Sequence, residues 1–186
     1  GAICKVDIQD GKVKAETIEN EKAKGICGTG VVDTVYELLK EEIIDENGLM
    51  EEEFFEDGFF LDQEENIRFC QKDVREIQLA KSAVRSGLET LVLRYGVGYE
   101  DIDRIYIAGG FGCRLDIGKA VGIGMFPGEC EEKIVAVGNS CLSGVVRCLM
   151  EENAVEIMEK LVKNAEEIPL SNDKKFQELF MEYICF

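Results

Sequence analysis

The segment Arg104-Ile105-Tyr106-Ile107-Ala108, followed at once by Gly109-Gly110-Phe111-Gly112, narrows the fold more than any other stretch of the chain. A short apolar run ending in glycines reads as a buried strand. The adjacent glycines allow positive φ and leave no Cβ between the backbone and whatever approaches it. Such a strand either turns tightly into a helix or opens onto a flat ligand, and the residues alone leave both readings open. The pattern recurs downstream, where residues 133–137 read as a second buried strand entering Gly138-Asn139-Ser140 and a helix over 141–150. Strands alternating with helices argue for an α/β sheet, in which ligands sit at the carboxyl ends of strands.

The remaining elements fit around that unit. Residues 2–8 and 12–18 alternate apolar and polar with Asp10-Gly11 between them, so the sheet opens with an antiparallel hairpin. Gly25-Ile26-Cys27-Gly28-Thr29-Gly30 precedes a helix carrying Val31, Val32, Val35, Leu38, Leu39 and Ile43 at helical spacing, and Asn47-Gly48 ends it. The acidic stretch 51–62 reads as a surface excursion whose Phe side chains fold back onto the core. The longest helix is expected over 72–95, with Ile77, Ala80, Val84, Leu88, Leu91 and Tyr95 as its apolar stripe and Gly96 as its stop. A turn or short helix at 117–124 leads to Pro127-Gly128, and 153–165 continues helical. The last element, 174–185, places Phe176, Leu179, Phe180 and Tyr183 on one face, with Ser171 or Asn172 as its cap. The 186 residues suit one domain, and a strand-like start without Met reads as part of a longer polypeptide.

A net charge of −17 repels nucleic acid and anionic membranes, and equally a bare polyphosphate. A nucleotide therefore needs a neutralising metal, backbone donors or a complementary lobe. There is no apolar run of the roughly 20 residues that span a bilayer and no signal-peptide pattern, so the chain reads as cytoplasmic. Its eight cysteines are scattered without C-x-x-C and read as reduced, small, buried hydrophobes; Cys141 and Cys148 share a helix face in keeping with core packing. The absence of His excludes Ser-His and Cys-His nucleophilic catalysis.

Three constellations could hold a ligand. Gly109-Gly110-Phe111-Gly112 is the first; it is neither G-x-G-x-x-G nor a G-x-x-x-x-G-K-[ST] phosphate loop. The second is Gly28-Thr29-Gly30 at a helix start, where backbone N–H groups suit a phosphate. Asp33, expected in the first turn, opposes a bare phosphate and suits a metal, a hydroxyl or simply the helix dipole. The third is the polar stripe Gln78, Lys81, Ser82 and Arg85 on the long helix, either a solvated face or a surface on which a purine stacks.

Together Gly25–Asp33, Gln71–Lys81, Ile107–Gly112 and Val137–Asn139 resemble the C-terminal domain of the reductive activators of corrinoid proteins. That family belongs to the ASKHA superfamily with acetate and sugar kinases, Hsp70 and actin. The resemblance implies an α/β, RNase H-like lobe with a mixed sheet and flanking helices, opened by the hairpin. It implies that Gly109, Gly110, Phe111 and Gly112 match the adenosine motif and that the stripe from Gln78 to Arg85 faces the adenine. It further implies ATP with Mg2+ as cofactor and a 2Fe–2S domain elsewhere in the polypeptide. Such a protein uses ATP to drive electron transfer that returns Co(II) corrinoid to Co(I) in a corrinoid methyltransferase system. Its partners would be a corrinoid protein and the upstream lobe, a homodimer being compatible; neither nucleic acid nor membrane is expected. The phosphate loops and their metal-binding Asp residues would lie upstream of Gly1, so the chain alone is expected to be inactive. Two other readings stay open. One is another ASKHA enzyme, such as a small-molecule kinase or a 2-hydroxyacyl-CoA dehydratase activator, although Gly25 stands where the latter's cluster Cys would be. The other is a non-catalytic interaction module docking through 51–62.

Overall fold

The structure, a computed structural model, describes residues 1–9 and 11–186. Strands β1 (Ala2–Gln9) and β2 (Lys12–Thr17) form the expected antiparallel hairpin, with Val6 opposite Ala15 and Ile8 opposite Val13. Asp10, in its connection, lies outside the described residues. β3 (Gly25–Ile26) adds in parallel to the other edge of β1. Helix α1 (Gly28–Lys40) packs on this sheet. Next come α2 (Glu52–Phe55), the antiparallel pair β4 (Phe59–Asp62) and β5 (Ile67–Phe69), and the long α3 (Gln71–Tyr95). Strand β6 (Ile105–Ala108) runs into the single turn α4 (Gly109–Gly112) and then α5 (Ile117–Gly122). β7 (Ile134–Gly138) pairs in parallel with β6 and leads into α6 (Ser140–Met150) and α7 (Ala154–Lys163). Helix α8 (Lys174–Glu182) closes the chain by packing along α3.

The core lies between β1 and α1. A register shift between Ile3 and Lys5 sets Ile3, Val6 and Ile8 on one face of β1, and all three are fully buried against Val32, Val35 and Leu38 of α1. Residues 51–62 are more than the expected excursion. Phe59 and Leu61 do turn into the core, but as alternate residues of β4 in a second hairpin whose partner contributes Phe69. Four residues are too few for alternation to register in the sequence.

The largest departure concerns the faces of α3. The polar residues Gln78, Lys81 and Ser82 are buried, whereas Ala80, Val84, Leu91 and Tyr95 of the expected apolar stripe are exposed. The cause is α8 with the residues that follow it, which cover Lys81, Ser82 and Arg85, while Gln78 is satisfied by Arg75 and the Asn47 carbonyl. Lys81 Nζ donates to the Cys185 carbonyl, Ser82 Oγ to the Phe180 carbonyl, and Arg85 stacks 4.7 Å over the Tyr183 ring. The cap of α8 is Asp173, one or two residues after the expected Ser171 or Asn172. Its Oδ1 accepts from the N–H groups of Lys175 and Phe176, and its Oδ2 lies 2.7 Å from Arg94 of α3. Asp173→Ala should therefore loosen α8 selectively: amides of α8 should exchange faster while those of α1 keep their protection.

The expectation of buried strands at β6 and β7 also needs correction. Tyr106 is 61% exposed, Val135 and Val137 are exposed as well, and every residue of α6 is exposed. A parallel pair is normally covered on both faces; among the described residues only the side holding Ile107 and Ile134 packs on the core. The cysteines were expected inside, yet only Cys130 is buried, and Cys141 and Cys148 stand exposed on α6. No helix among the described residues is long and apolar enough to cross a membrane.

Candidate functional site

The glycine segment after β6 is a tight turn and an open wall at once. Gly109 has φ +96, a left-handed conformation that side chains resist. A Cβ on Gly110 would meet nothing within 4 Å. Gly112 is glycine for packing, because a Cβ there would collide with the Ile107 side chain. Phe111 reaches out from the turn to the start of α1, where a Cβ on Gly28 would sit 2.9 Å from its ring. Gly28 thus lets the aromatic ring lie against the helix N-terminus, and two segments far apart in sequence form one wall.

Two clefts flank that wall. The smaller, ≈ 400 Å³, is lined by Cys4, Ile18, Cys27, Thr29, Gly110 and Arg114 together with Gly28 and Phe111. The larger, ≈ 840 Å³, shares Gly28 and Phe111 and continues over Ile67, Phe69, Ile77, Ala80, Val84 and Met125. The first combines a helix N-terminus with a guanidinium and contains no carboxylate. The second is a mostly apolar slot, with Arg68, Asp73 and Glu76 also in its lining, of the size that small ligands fill. Its floor includes the face of α3 that carries the expected apolar stripe, which explains why Ala80 and Val84 are left exposed. Arg114 was missed in the sequence; two residues past Gly112 and outside any motif, it gave no periodic signal.

The structure brings Gly28 and Thr29 together with the turn of Gly109, Gly110, Phe111 and Gly112, and leaves Gly30, Asp33 and the stripe on α3 elsewhere. Gly30 faces β1, where a Cβ would run into the Ile3 carbonyl. Lys81, Ser82 and Arg85 lie beneath the C-terminal segment from Phe180 to Cys185, and Gln78 lies beneath the loop at Asn47; none of the four lines the apolar slot. Burial there drives the Lys81 ammonium down to about 8. Gln78 Nε2 donates to the Asn47 carbonyl at 3.0 Å and its Oε1 accepts from Arg75 at 2.6 Å.

Asp33 falls in the second turn of α1, not the first, because the helix begins at Gly28. Its buried carboxylate accepts from the Val6 N–H at 3.1 Å and lies 3.7 Å from Lys119 Nζ. Lys119, from α5, also reaches Glu37 at 2.9 Å and donates to the Val6 carbonyl at 2.6 Å. Burial raises the Asp33 carboxyl above its ordinary range despite the Val6 N–H and Lys119. Burial pushes Glu37 the same way, but hydrogen bonds from Lys119 and Lys40 outweigh it and leave that carboxyl lowered. This is a structural ion cluster between β1, α1 and α5, directed away from the clefts. Among the described residues no group of three or more His, Cys, Asp or Glu side chains is placed to hold a metal ion.

A mixed α/β lobe opened by a hairpin, with a glycine turn meeting a helix N-terminus at the ends of its strands, defines a lobe of the ASKHA class. The chain belongs to the family described as the C-terminal domain of RACo, the ASKHA domain, which it matches over residues 1–186. It is 29% identical to the corrinoid activation enzyme RamQ of Eubacterium limosum, over 100% of this chain and 35% of that protein. It is also 29% identical to the Co(II) methylated amine-specific corrinoid protein reductase of Methanosarcina barkeri, over 86% of this chain and 29% of that protein. Among solved structures, a reductive activator for corrinoid, iron–sulfur protein superposes with a TM-score of 0.90 at 31% identity, covering 100% of this chain and 32% of that one. The chain thus spans about a third of the length of these relatives.

Proposed function

We propose that this chain is the nucleotide-binding ASKHA lobe of an ATP-dependent activator that returns a Co(II) corrinoid to Co(I) in a corrinoid methyltransferase system. The observation that carries the reading is the wall of Gly28 and Phe111, which joins an apolar slot to a cleft holding Arg114 and the start of α1. The relatives named above, whose titles concern corrinoid activation and reduction, support the reaction class. In this reading Gly110 and Phe111 contact the nucleoside, Gly28 and Thr29 lie toward the phosphates with Arg114, and Gly109, Gly112 and Gly30 hold the backbone in place. Lys81, Ser82 and Arg85 hold α8 and the residues that follow it, Gln78 holds the loop at Asn47, and Asp33 holds α5 through Lys119.

The residues present fit the nucleoside and one or more anionic groups. They do not fit a Mg2+ ion: the smaller cleft has no carboxylate, Asp33 is turned inward, and Asp73 and Glu76 of the larger cleft belong to no group of three or more potential metal ligands among the described residues. The Mg2+ ligands and the remaining phosphate contacts would come from an upstream lobe of the same polypeptide, and the electron from a 2Fe–2S domain in it. Support for a covering lobe comes from the apolar residues that β6, β7, α6 and α7 leave exposed, among them Tyr106, Val137, Leu149 and Leu161. Patches of that kind mark interfaces.

Calorimetry with adenosine and Mg·ADP on this chain tests the site. Weak binding is expected, and Gly110→Val should abolish it without loss of stability, because the new side chain meets no protein atom near its Cβ and projects into the cleft. Unchanged affinity in Gly110→Val would remove the proposed site. For the full-length protein, visible absorbance should show Co(II)-to-Co(I) conversion that requires ATP; equal conversion without ATP would sink the reaction.

A further inference from the structure

The smaller cleft contains two thiols whose positions are set by the backbone. β1 and β3 run parallel with Ala2 opposite Gly25 and Ile3 opposite Ile26. The next residues are Cys4, within the irregularity of β1 between Ile3 and Lys5, and Cys27, whose backbone remains extended at φ −90 and ψ 169. The Cys27 N–H donates to the Ile3 carbonyl at 2.9 Å, and Thr29 Oγ1 donates to the Cys4 carbonyl at 2.9 Å, so both residues are pinned. Neighbouring strands lie about 4.8 Å apart, inside the roughly 4.4–6.8 Å Cα separation that a disulfide spans. Both residues line the same cleft. Both are free thiols: Cys4 Sγ points to the Glu16 carbonyl at 3.4 Å, and Cys27 Sγ lies 3.2 Å from Thr29 Oγ1. Bridging requires Cys4 Sγ to turn away from Glu16 of β2 and Cys27 Sγ to leave Thr29.

The two thiols differ in reactivity. Cys27 is the N-cap of α1, at the positive end of a 13-residue helix. Partial burial pushes its pKa up, but the Thr29 hydroxyl, its one proton shared with the Cys4 carbonyl, and the amides of Gly30 and Thr29 more than offset that, and the thiol is lowered. Arg114 lines the same cleft. A thiolate so placed is the nucleophile and a neighbouring thiol the resolving group.

We propose that Cys4 and Cys27 form a peroxide-responsive thiol pair that closes into a disulfide across the smaller cleft. The Cys27 thiolate attacks one oxygen of hydrogen peroxide; the O–O bond breaks and the departing hydroxide takes a proton to become water. Cys27 is then a sulfenic acid. The Cys4 sulfur attacks the Cys27 sulfur, forming the S–S bond and breaking the S–O bond; the expelled hydroxide takes the Cys4 thiol proton and leaves as a second water. Two thiols and one peroxide thus give one disulfide and two waters. The bridge would lie beside Thr29 and Gly110, so a consequence, resting on the nucleotide reading above, is loss of nucleotide affinity on oxidation.

The test is differential alkylation and peptide mass spectrometry of this chain, reduced and then exposed to stoichiometric hydrogen peroxide without oxygen. A cross-linked peptide pair containing Cys4 and Cys27, reversed by dithiothreitol, is the expected product. Cys4→Ser should stop at a Cys27 sulfenic acid that dimedone traps, and Cys27→Ser should leave Cys4 unmodified. Oxidation of exposed Cys141 or Cys148 ahead of Cys27, or a wild-type chain that stops at sulfenic acid, would overturn the pair. Adenosine affinity is measured on both redox forms, with a drop of at least about tenfold expected on oxidation. Failure of the reduced form to bind adenosine would count against the nucleotide site, whereas the mass spectrum alone decides the thiol pair.

Discussion

Lys119→Met should be among the most destabilising single substitutions in the protein, costing about 3–5 kcal/mol, because it leaves buried carboxylates without their cation. Lys119 joins Asp33 at 3.7 Å and Glu37 at 2.9 Å, and both carboxylates are almost wholly shielded from water. Lys40 would still reach Glu37 at 3.1 Å from the surface, but beside Asp33 only the weaker influence of Lys5 would remain. The pH dependence has a definite sign. In the wild type Glu37 is lowered, so its contribution is full above its unfolded pKa, about 4.3, and is lost as pH falls through the lower folded value. Asp33 is raised, so its ionised form costs stability above the raised value, and the cost is relieved as pH falls through it. Removing Lys119 takes away a lowering influence on both. The variant's deficit should therefore be greatest near neutrality and shrink as the pH approaches the carboxylate range. Urea denaturation across that range measures it, and adding Glu37→Gln should recover part of the loss. A Lys119→Met chain within about 1 kcal/mol of wild type at neutral pH, the scale of an exposed ion pair, would mean that water screens the cluster.

What could be read from the sequence follows from how local each signal is. The opening hairpin, the start of α1, the length of α3 with its Gly96 stop and the strand before Gly109 are all written in runs of neighbours. The class of fold was legible for the same reason. The faces of α3 were not, because hydrophobic periodicity assumes that water covers the polar side. Here α8 and the residues just after it, about a hundred residues later, supply carbonyls to Lys81 and Ser82 and an aromatic ring to Arg85, so these polar residues are covered. The apolar face was freed to floor the larger cleft. The exposed valines of β7 and the exposed cysteines of α6 miscarried for a related reason, since composition alone does not tell which elements cover which faces. Of the site, the glycines and Phe111 were visible as motifs. Arg114 and the nearness of Cys4 to Cys27 were not, since each depends on how the loop after β6 and the strands β1 and β3 are set in space.

The Gly28-Thr29-Gly30 triplet looks uniform in sequence, yet its two glycines do different work, and the difference yields the second large effect. Gly30→Val should prevent folding or cost about 3 kcal/mol or more, beyond the usual overpacking penalty of roughly 1–3 kcal/mol. A Cβ at this position collides with the Ile3 carbonyl oxygen and lies 3.0 Å from the Ile26 side chain. Neither neighbour can move cheaply: Ile3 is fully buried and belongs to the β1–β3 pairing, and its carbonyl already accepts the Cys27 N–H at 2.9 Å. Relief would require α1 to lift from β1, opening the contact of Val32 and Val35 with Ile3 and Val6 that makes the core. Gly30→Ala should show the same defect in smaller degree. Gly110→Ala is the internal control, because its new Cβ meets no atom within 4 Å and its stability should match wild type. Chemical denaturation of the three variants side by side decides the matter. Equal stability of Gly30→Ala and Gly110→Ala would show that α1 does not rest on β1 as closely as drawn here, and would detach the helix start from the strand that positions it beside the glycine turn.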